Sequence, residues 1–169
     1  RIDVEGIRAR TTAIAIEGRE VPTLALEDTV LTACLHGWKD QWWRLLWVAD
    51  VAALLHRHPG LDWDALVARA RQAGLRRVLH LGLALAHDLF AASLPDRVAR
   101  AIASERAGDW LLQESKARLF RSAAPVPSQN HVSRYHFLAR ERGADRLRYV
   151  WRTMTTPRVG AHAYMLPTG

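Results

Sequence analysis

The residues best equipped for chemistry fall in one segment, His36-Gly37-Trp38-Lys39-Asp40-Gln41-Trp42-Trp43-Arg44-Leu45-Leu46-Trp47-Val48-Ala49-Asp50. Four tryptophans occur within ten residues, with polar groups threaded between them. On a continuous helix His36, Lys39, Trp43, Trp47 and Asp50 are spaced 3, 4, 4 and 3 and share a face. A base, two large aromatics and an acid then line one stripe. The same spacing describes a tryptophan-rich core seam from which Lys39 and Arg44 snorkel to water. Spacing alone favours the seam. Asp50 complicates it, because a carboxylate inside Leu45-Leu46-Trp47-Val48-Ala49-Asp50-Val51-Ala52-Ala53-Leu54-Leu55 must be paired, and His36, Lys39 or Arg44 is the obvious donor.

Other chemistry is weaker. His80 and His87 lie seven apart, without a His-Glu-x-x-His pattern or an acid–histidine pair at ligand spacing, so they read as core or helix-end histidines and no metal site is expected. His56 and His58, before Pro59, suit a helix C-terminus. Cys34 has no sequence-local base and reads as a small buried hydrophobe. No Gly-rich phosphate loop, nucleophile elbow or nucleotide fingerprint occurs. Arg134, Arg140, Arg142, Arg146, Arg148, Arg152 and Arg158 stand against only Glu141 and Asp145, with Tyr135, Tyr149 and Trp151 interleaved. That pattern suits a nucleic-acid face, and equally a solvated helical face whose arginine stems cover apolar surface. The solvated face is favoured.

The elements that must position these residues are mostly helical. Thr11 to Ile16 alternates and is β-branched, Glu17-Gly18-Arg19 suits a turn, and Glu20 to Leu24 resumes the extended pattern, which predicts a hairpin. Pro22 confines its second strand to an edge. Helices are predicted from Leu26, with Glu27 and Asp28 in the first turn, to about Gly37, and then over 41–58 and 63–73. Asp62 can cap the third and Gly74 end it. Residues 75–92 are apolar nearly all round, as in a central buried helix. Ser93 looks like the cap of the next helix, over 96–106, and others follow at 109–121, 130–142 and 144–155. The expected fold is mainly α, a multi-helix bundle preceded by a short β-hairpin. The expected organisation is a hairpin junction over 1–26, a helical core over 27–122, a linker over 123–128 and basic helices with a tail over 129–169.

Composition bounds these readings. The 169 residues suffice for one domain, and 49% hydrophobic against 24% charged is the balance of a globular protein. One cysteine excludes a disulfide framework. The longest charge-free apolar stretch, Val78 to His87, is too short to span a membrane, and the start shows no secretory pattern, so the cytoplasm is expected. The net charge of +7 comes wholly from residues 94–169, with 13 basic and 6 acidic side chains; residues 1–93 hold 11 of each.

Gly18-Arg19-Glu20-Val21-Pro22-Thr23-Leu24, Glu27-Asp28, the block from His36 through Lys39, Trp42, Arg44-Leu45, Trp47 and Asp50-Val51-Ala52, then Leu61-Asp62-Trp63 and Leu81-Gly82-Leu83 follow one another in a familiar order. Together they resemble the C-terminal portion of an uncharacterised bacterial nucleotidyltransferase family of the polymerase-β-like superfamily. The resemblance covers about residues 18–95 well and the rest loosely. Asp40 departs from it, standing where the family often has histidine. The resemblance implies transfer of a nucleotidyl group from an NTP to an unknown acceptor, with Mg2+ held by a Gly-Ser turn, an Asp-x-Asp pair and a third carboxylate. This sequence has no Gly-Ser and no Asp-x-Asp on a strand (Asp62-Trp63-Asp64 stands at a predicted helix start), so both elements are expected upstream of Arg1, with the hairpin as a junction to that α/β domain. Asp3 stands too close to Gly18 to be the third carboxylate. By the same resemblance His36, Lys39, Arg44 and Asp50 would close over the nucleotide, Lys39 or Arg44 meeting phosphate and Asp50 orienting one of them.

Overall fold

A computed structural model describes residues 4–121 and 134–155. Among them are nine helices and one two-stranded sheet. The chain opens with a short helix that the sequence reading did not anticipate, α1 (Val4–Ala9), followed by β1 (Thr12–Ile16) and β2 (Arg19–Thr23). The strands pair antiparallel with Ile14 opposite Val21 and Ile16 opposite Arg19. Glu17 and Gly18 have φ of 50° and 76°, the left-handed values a two-residue hairpin turn demands. Ile14, Ile16 and Val21 share one face, and all three are exposed.

Then come α2 (Leu26–Lys39), α3 (Leu45–Arg57), α4 (Trp63–Ala73) and α5 (Arg76–Phe90). Asp62 caps α4 as expected, its carboxylate accepting from the N–H groups of Asp64 and Ala65, and Gly74 closes it at φ 69°. The central helix is α5: every residue from Val78 to Ala86 is buried. It packs on α2, α3, α4, and on α6 (Asp96–Ala103) and α7 (Arg106–Leu119). Ser93 is not the cap of α6; that position is Pro95, with no side-chain cap bond. The final described helices are α8 (Arg134–Ala139) and α9 (Gly143–Thr155). The expected linker over 123–128 and the tail after Thr156 lie outside the described residues, as do Asp3 and Arg158.

Glu27 and Asp28 do more than complement a helix dipole. Asp28 is buried and accepts from Arg10 Nε at 3.1 Å and Arg69 Nη1 at 3.0 Å, while Glu27 lies 3.2 Å from Arg69. One carboxylate pair thus joins the segment before β1, α2 and α4.

Candidate functional site

The helix that would place His36, Lys39, Trp43, Trp47 and Asp50 on one stripe is not continuous. Instead α2 stops at Lys39 and α3 starts at Leu45, four residues later than the expected boundary. Gln41 and Trp42 between them have φ of 57° and 55°. A bulky residue in left-handed backbone is strained by about 1–3 kcal/mol, so something must hold it there. Burial does. Trp42 is fully buried, its N–H bonds the Gly37 carbonyl at 2.7 Å, and its ring fills the space between Gly37 on α2 and Gly82 on α5. Fully burying an aromatic side chain gives roughly 3 kcal/mol, of the same order as the strain at Trp42 itself.

With Trp42 turned inward, its neighbours turn outward. The His36 ring meets Trp47 edge-on at 5.1 Å, and Trp47 meets Trp43 edge-on at 5.9 Å. The Arg44 guanidinium lies 4.4 Å from the centre of the Trp43 ring and 5.9 Å from that of Trp47. Leu45 and Leu46, both exposed, flank this group. His36 Nε2 lies 4.0 Å from the Asp40 carboxylate, a surface pair worth little. The arrangement offers an exposed imidazole, two indole rings and a guanidinium. Those groups can stack on a planar base and meet phosphate charge.

Of the four expected nucleotide contacts, tertiary structure joins His36 and Arg44 through Trp47. Lys39 is exposed at the end of α2, where its carbonyl accepts from His136 Nε2 at 3.1 Å. Asp50 is not the buried, paired carboxylate the sequence suggested. It is exposed on α3, opposite the side that buries Val48, Val51 and Ala52, and makes no ion pair with His36, Lys39 or Arg44. The helix break is the reason: it rotates α3 relative to α2, so a continuous-helix face does not survive.

The other candidates resolve individually. His56 and His87 are helix-end histidines, with Nδ1 at 2.8 Å from the Ala52 carbonyl and 2.9 Å from that of Ala92. His58 is the C-cap of α3. Cys34 is fully buried, and desolvation pushes its thiol up to about 12. Native protein is therefore expected to leave Cys34 unmodified by a thiol reagent at pH 8 over the time in which denaturant-unfolded chain reacts fully; rapid native labelling would contradict that burial. Among the described residues no group of three or more His, Cys, Asp and Glu side chains could hold a metal ion, and no helix is long and apolar enough to cross a membrane.

The basic C-terminal half is largely engaged with its own chain. Arg134 lies 4.7 Å from the Trp110 ring, and Arg140 lies 3.9 Å from Tyr149 and 5.0 Å from Trp38. Arg142 donates to the carbonyls of Arg71 and Gln72, Arg146 to that of Arg140, and Arg148 to Asp145. These contacts fit the solvated structural face rather than a row of free phosphate contacts. His136 was not singled out by any sequence motif. Burial lowers its pKa, and it ties α8 to the end of α2. Burial likewise raises that of Tyr135, whose hydroxyl meets Ser115 Oγ at 2.7 Å.

The fold and this junction define a mainly helical protein with an exposed cation–indole surface between its second and third helices. The chain belongs to a family described as uncharacterised nucleotidyltransferase, whose sequence profile matches residues 1–91. That span runs from α1 to the C-cap of α5 and includes the whole α2–α3 junction. Membership implies a nucleotide as partner. No curated protein and no solved structure matches the chain.

Proposed function

We propose that this chain is the helical C-terminal part of an enzyme that transfers a nucleotidyl group from an NTP to an acceptor, and that the α2–α3 junction contacts the nucleotide. The observation that carries the reading is the family match over residues 1–91. Two features support it. An isolated two-stranded hairpin is marginal in water, and this one leaves Ile14, Ile16 and Val21 exposed, as expected of a junction to another β-containing domain. The junction also sets the exposed Arg44 against the rings of the half-buried Trp43 and Trp47, with the exposed Lys39 at the adjoining end of α2.

In this reading Arg44 and Lys39 meet the triphosphate, and His36 with Trp47 borders the base or ribose. Asp50 stays exposed on α3 and makes no ion pair with Lys39 or Arg44 that would let it orient either. The Gly-Ser and Asp-x-Asp elements lie upstream of Arg1. In this reading the Mg2+ expected of the chemistry is held by that upstream domain, and this chain's own residues bind and orient the nucleotide.

The test uses the full-length gene product with Mg2+ and each NTP. Lys39→Ala and Arg44→Ala are each expected to weaken NTP binding about tenfold, the order of one charge-assisted contact, while the melting temperature stays unchanged. Unchanged binding in the double variant would remove the junction from the nucleotide site.

A further inference from the structure

Strands β1 and β2 contain no buried residue, so the ribbon meets solvent on both faces. Its two edges are not equivalent, and the register shows why. A two-residue turn makes Ile16 and Arg19 the first hydrogen-bonded pair. Bonded and non-bonded pairs then alternate, so Ile14–Val21 is bonded, while Ala15–Glu20 and Ala13–Pro22 are not. Pro22 has no N–H and accordingly falls in a non-bonded pair, where the ladder loses nothing.

In a non-bonded pair the N–H and C=O groups point away from the partner strand. On β1 these groups belong to Ala13 and Ala15, two donors and two acceptors with no other main-chain partner among the described residues. On β2 they belong to Glu20 and Pro22, so that edge keeps only one donor, and Arg19 and Glu20 add charge beside it. Proline and charge are the devices that stop a free edge from pairing. Thr12-Ala13-Ile14-Ala15-Ile16 has neither. Strand β2 is therefore built as an outer edge, and β1 as an edge that another strand covers.

The faces indicate what kind of strand that is. Ile14, Ile16 and Val21 lie on one face and are exposed, whereas the other face presents Ala13, Ala15, Glu20 and Pro22. A strand added to β1 extends the apolar face, which then needs an apolar layer over it. A larger sheet packed on one side supplies both the strand and the layer. A second copy joined β1 to β1 would double the apolar face and leave it uncovered.

We infer that β1 is the edge by which the hairpin joins the sheet of the upstream catalytic domain. The main chain of Ala13 and Ala15 makes the bonds, and Ile14, Ile16 and Val21 enter that domain's core. The identity of the occupant rests on the nucleotidyl-transfer reading; the choice of edge rests on the register.

Amide hydrogen exchange in the full-length gene product tests this without any substitution. Corrected for intrinsic rates, the Ala13 and Ala15 amides are expected to exchange at least about a hundredfold more slowly than the Glu20 amide. Ala15→Pro and Glu20→Pro form a matched pair, because the two residues face each other and each proline removes only an outward N–H. Ala15→Pro should cut nucleotidyl transfer at least about tenfold by letting the helical body shift, whereas Glu20→Pro should leave it unchanged. If Ala15→Pro does not fold, the exchange contrast in the unmodified protein decides. Equally rapid exchange at Ala13, Ala15 and Glu20, or equal effects of the two prolines, would overturn the inference. So would protection that disappears on dilution to the monomer, which assigns the edge to a second copy. NTP binding is measured on the same samples. An unprotected edge with NTP binding intact removes this inference alone, and a protected edge without NTP binding removes only the nucleotidyl-transfer reading.

Discussion

Gly37→Ala is expected to destabilise the protein by about 3 kcal/mol, read as a lowered denaturant midpoint at unchanged slope. Alanine is the better helix former by about 1 kcal/mol, so propensity alone predicts the opposite sign. Sterics win because a methyl group at Gly37 would sit 2.4 Å from the Trp42 ring. That ring cannot withdraw, being fully buried and anchored by left-handed backbone. Gly82→Ala should act in the same direction, with its methyl 2.5 Å from Cys34 Sγ and 3.2 Å from Trp42. Shrinking the obstacle should relieve the clash, so Trp42→Leu combined with Gly37→Ala is expected to cost less than the two changes added separately. Gly108→Ala is the contrasting case: its nearest neighbour is 3.7 Å away, and the change should be neutral or stabilising by up to about 1 kcal/mol. A neutral Gly37→Ala would mean that Trp42 does not sit between α2 and α5.

Glu105→Gln is expected to cost about 3 kcal/mol at pH 7, and the deficit should vanish in acid. Burial alone would raise the pKa of Glu105, but hydrogen bonds from His80 and Arg77, and the charges behind them, outweigh it and lower it from 4.5 to about 2. At about 1.4 kcal/mol per tenfold change in proton affinity, that difference corresponds to about 3 kcal/mol. The folded-state value is depressed, so this stability is fully present above about pH 4.5 and is lost as pH falls towards 2. Urea melts of the two proteins between pH 7 and pH 3 should therefore converge. A constant gap across that range would assign the loss to altered packing rather than to the carboxylate's charge.

These two sites show why different parts of the molecule were legible to different degrees. Asp62 and Gly74 announce the ends of α4, because capping and left-handed closure act within a few residues of chain. The hairpin turn and the apolar run of α5 are local or periodic in the same sense. Asp50 misled because its neighbours in sequence are apolar, whereas exposure depends on which side of α3 faces α5. Nothing local predicts that a tryptophan should enter left-handed backbone; Trp42 does so because Gly37 and Gly82, 45 residues apart in sequence, leave room for its ring.

The mainly helical class, the hairpin, most helix boundaries and the family resemblance are properties of sequence alone, because they rest on short-range backbone preferences and residue order. Tertiary structure decided the break between α2 and α3, the meeting of His36 with Arg44 across Trp47, and the recruitment of the basic half into internal contacts. It also brought Glu105 to His80 and Arg77. Such pairings are selected by packing between distant segments, where a side chain's partners are set by helix rotation and available volume rather than by its neighbours along the chain.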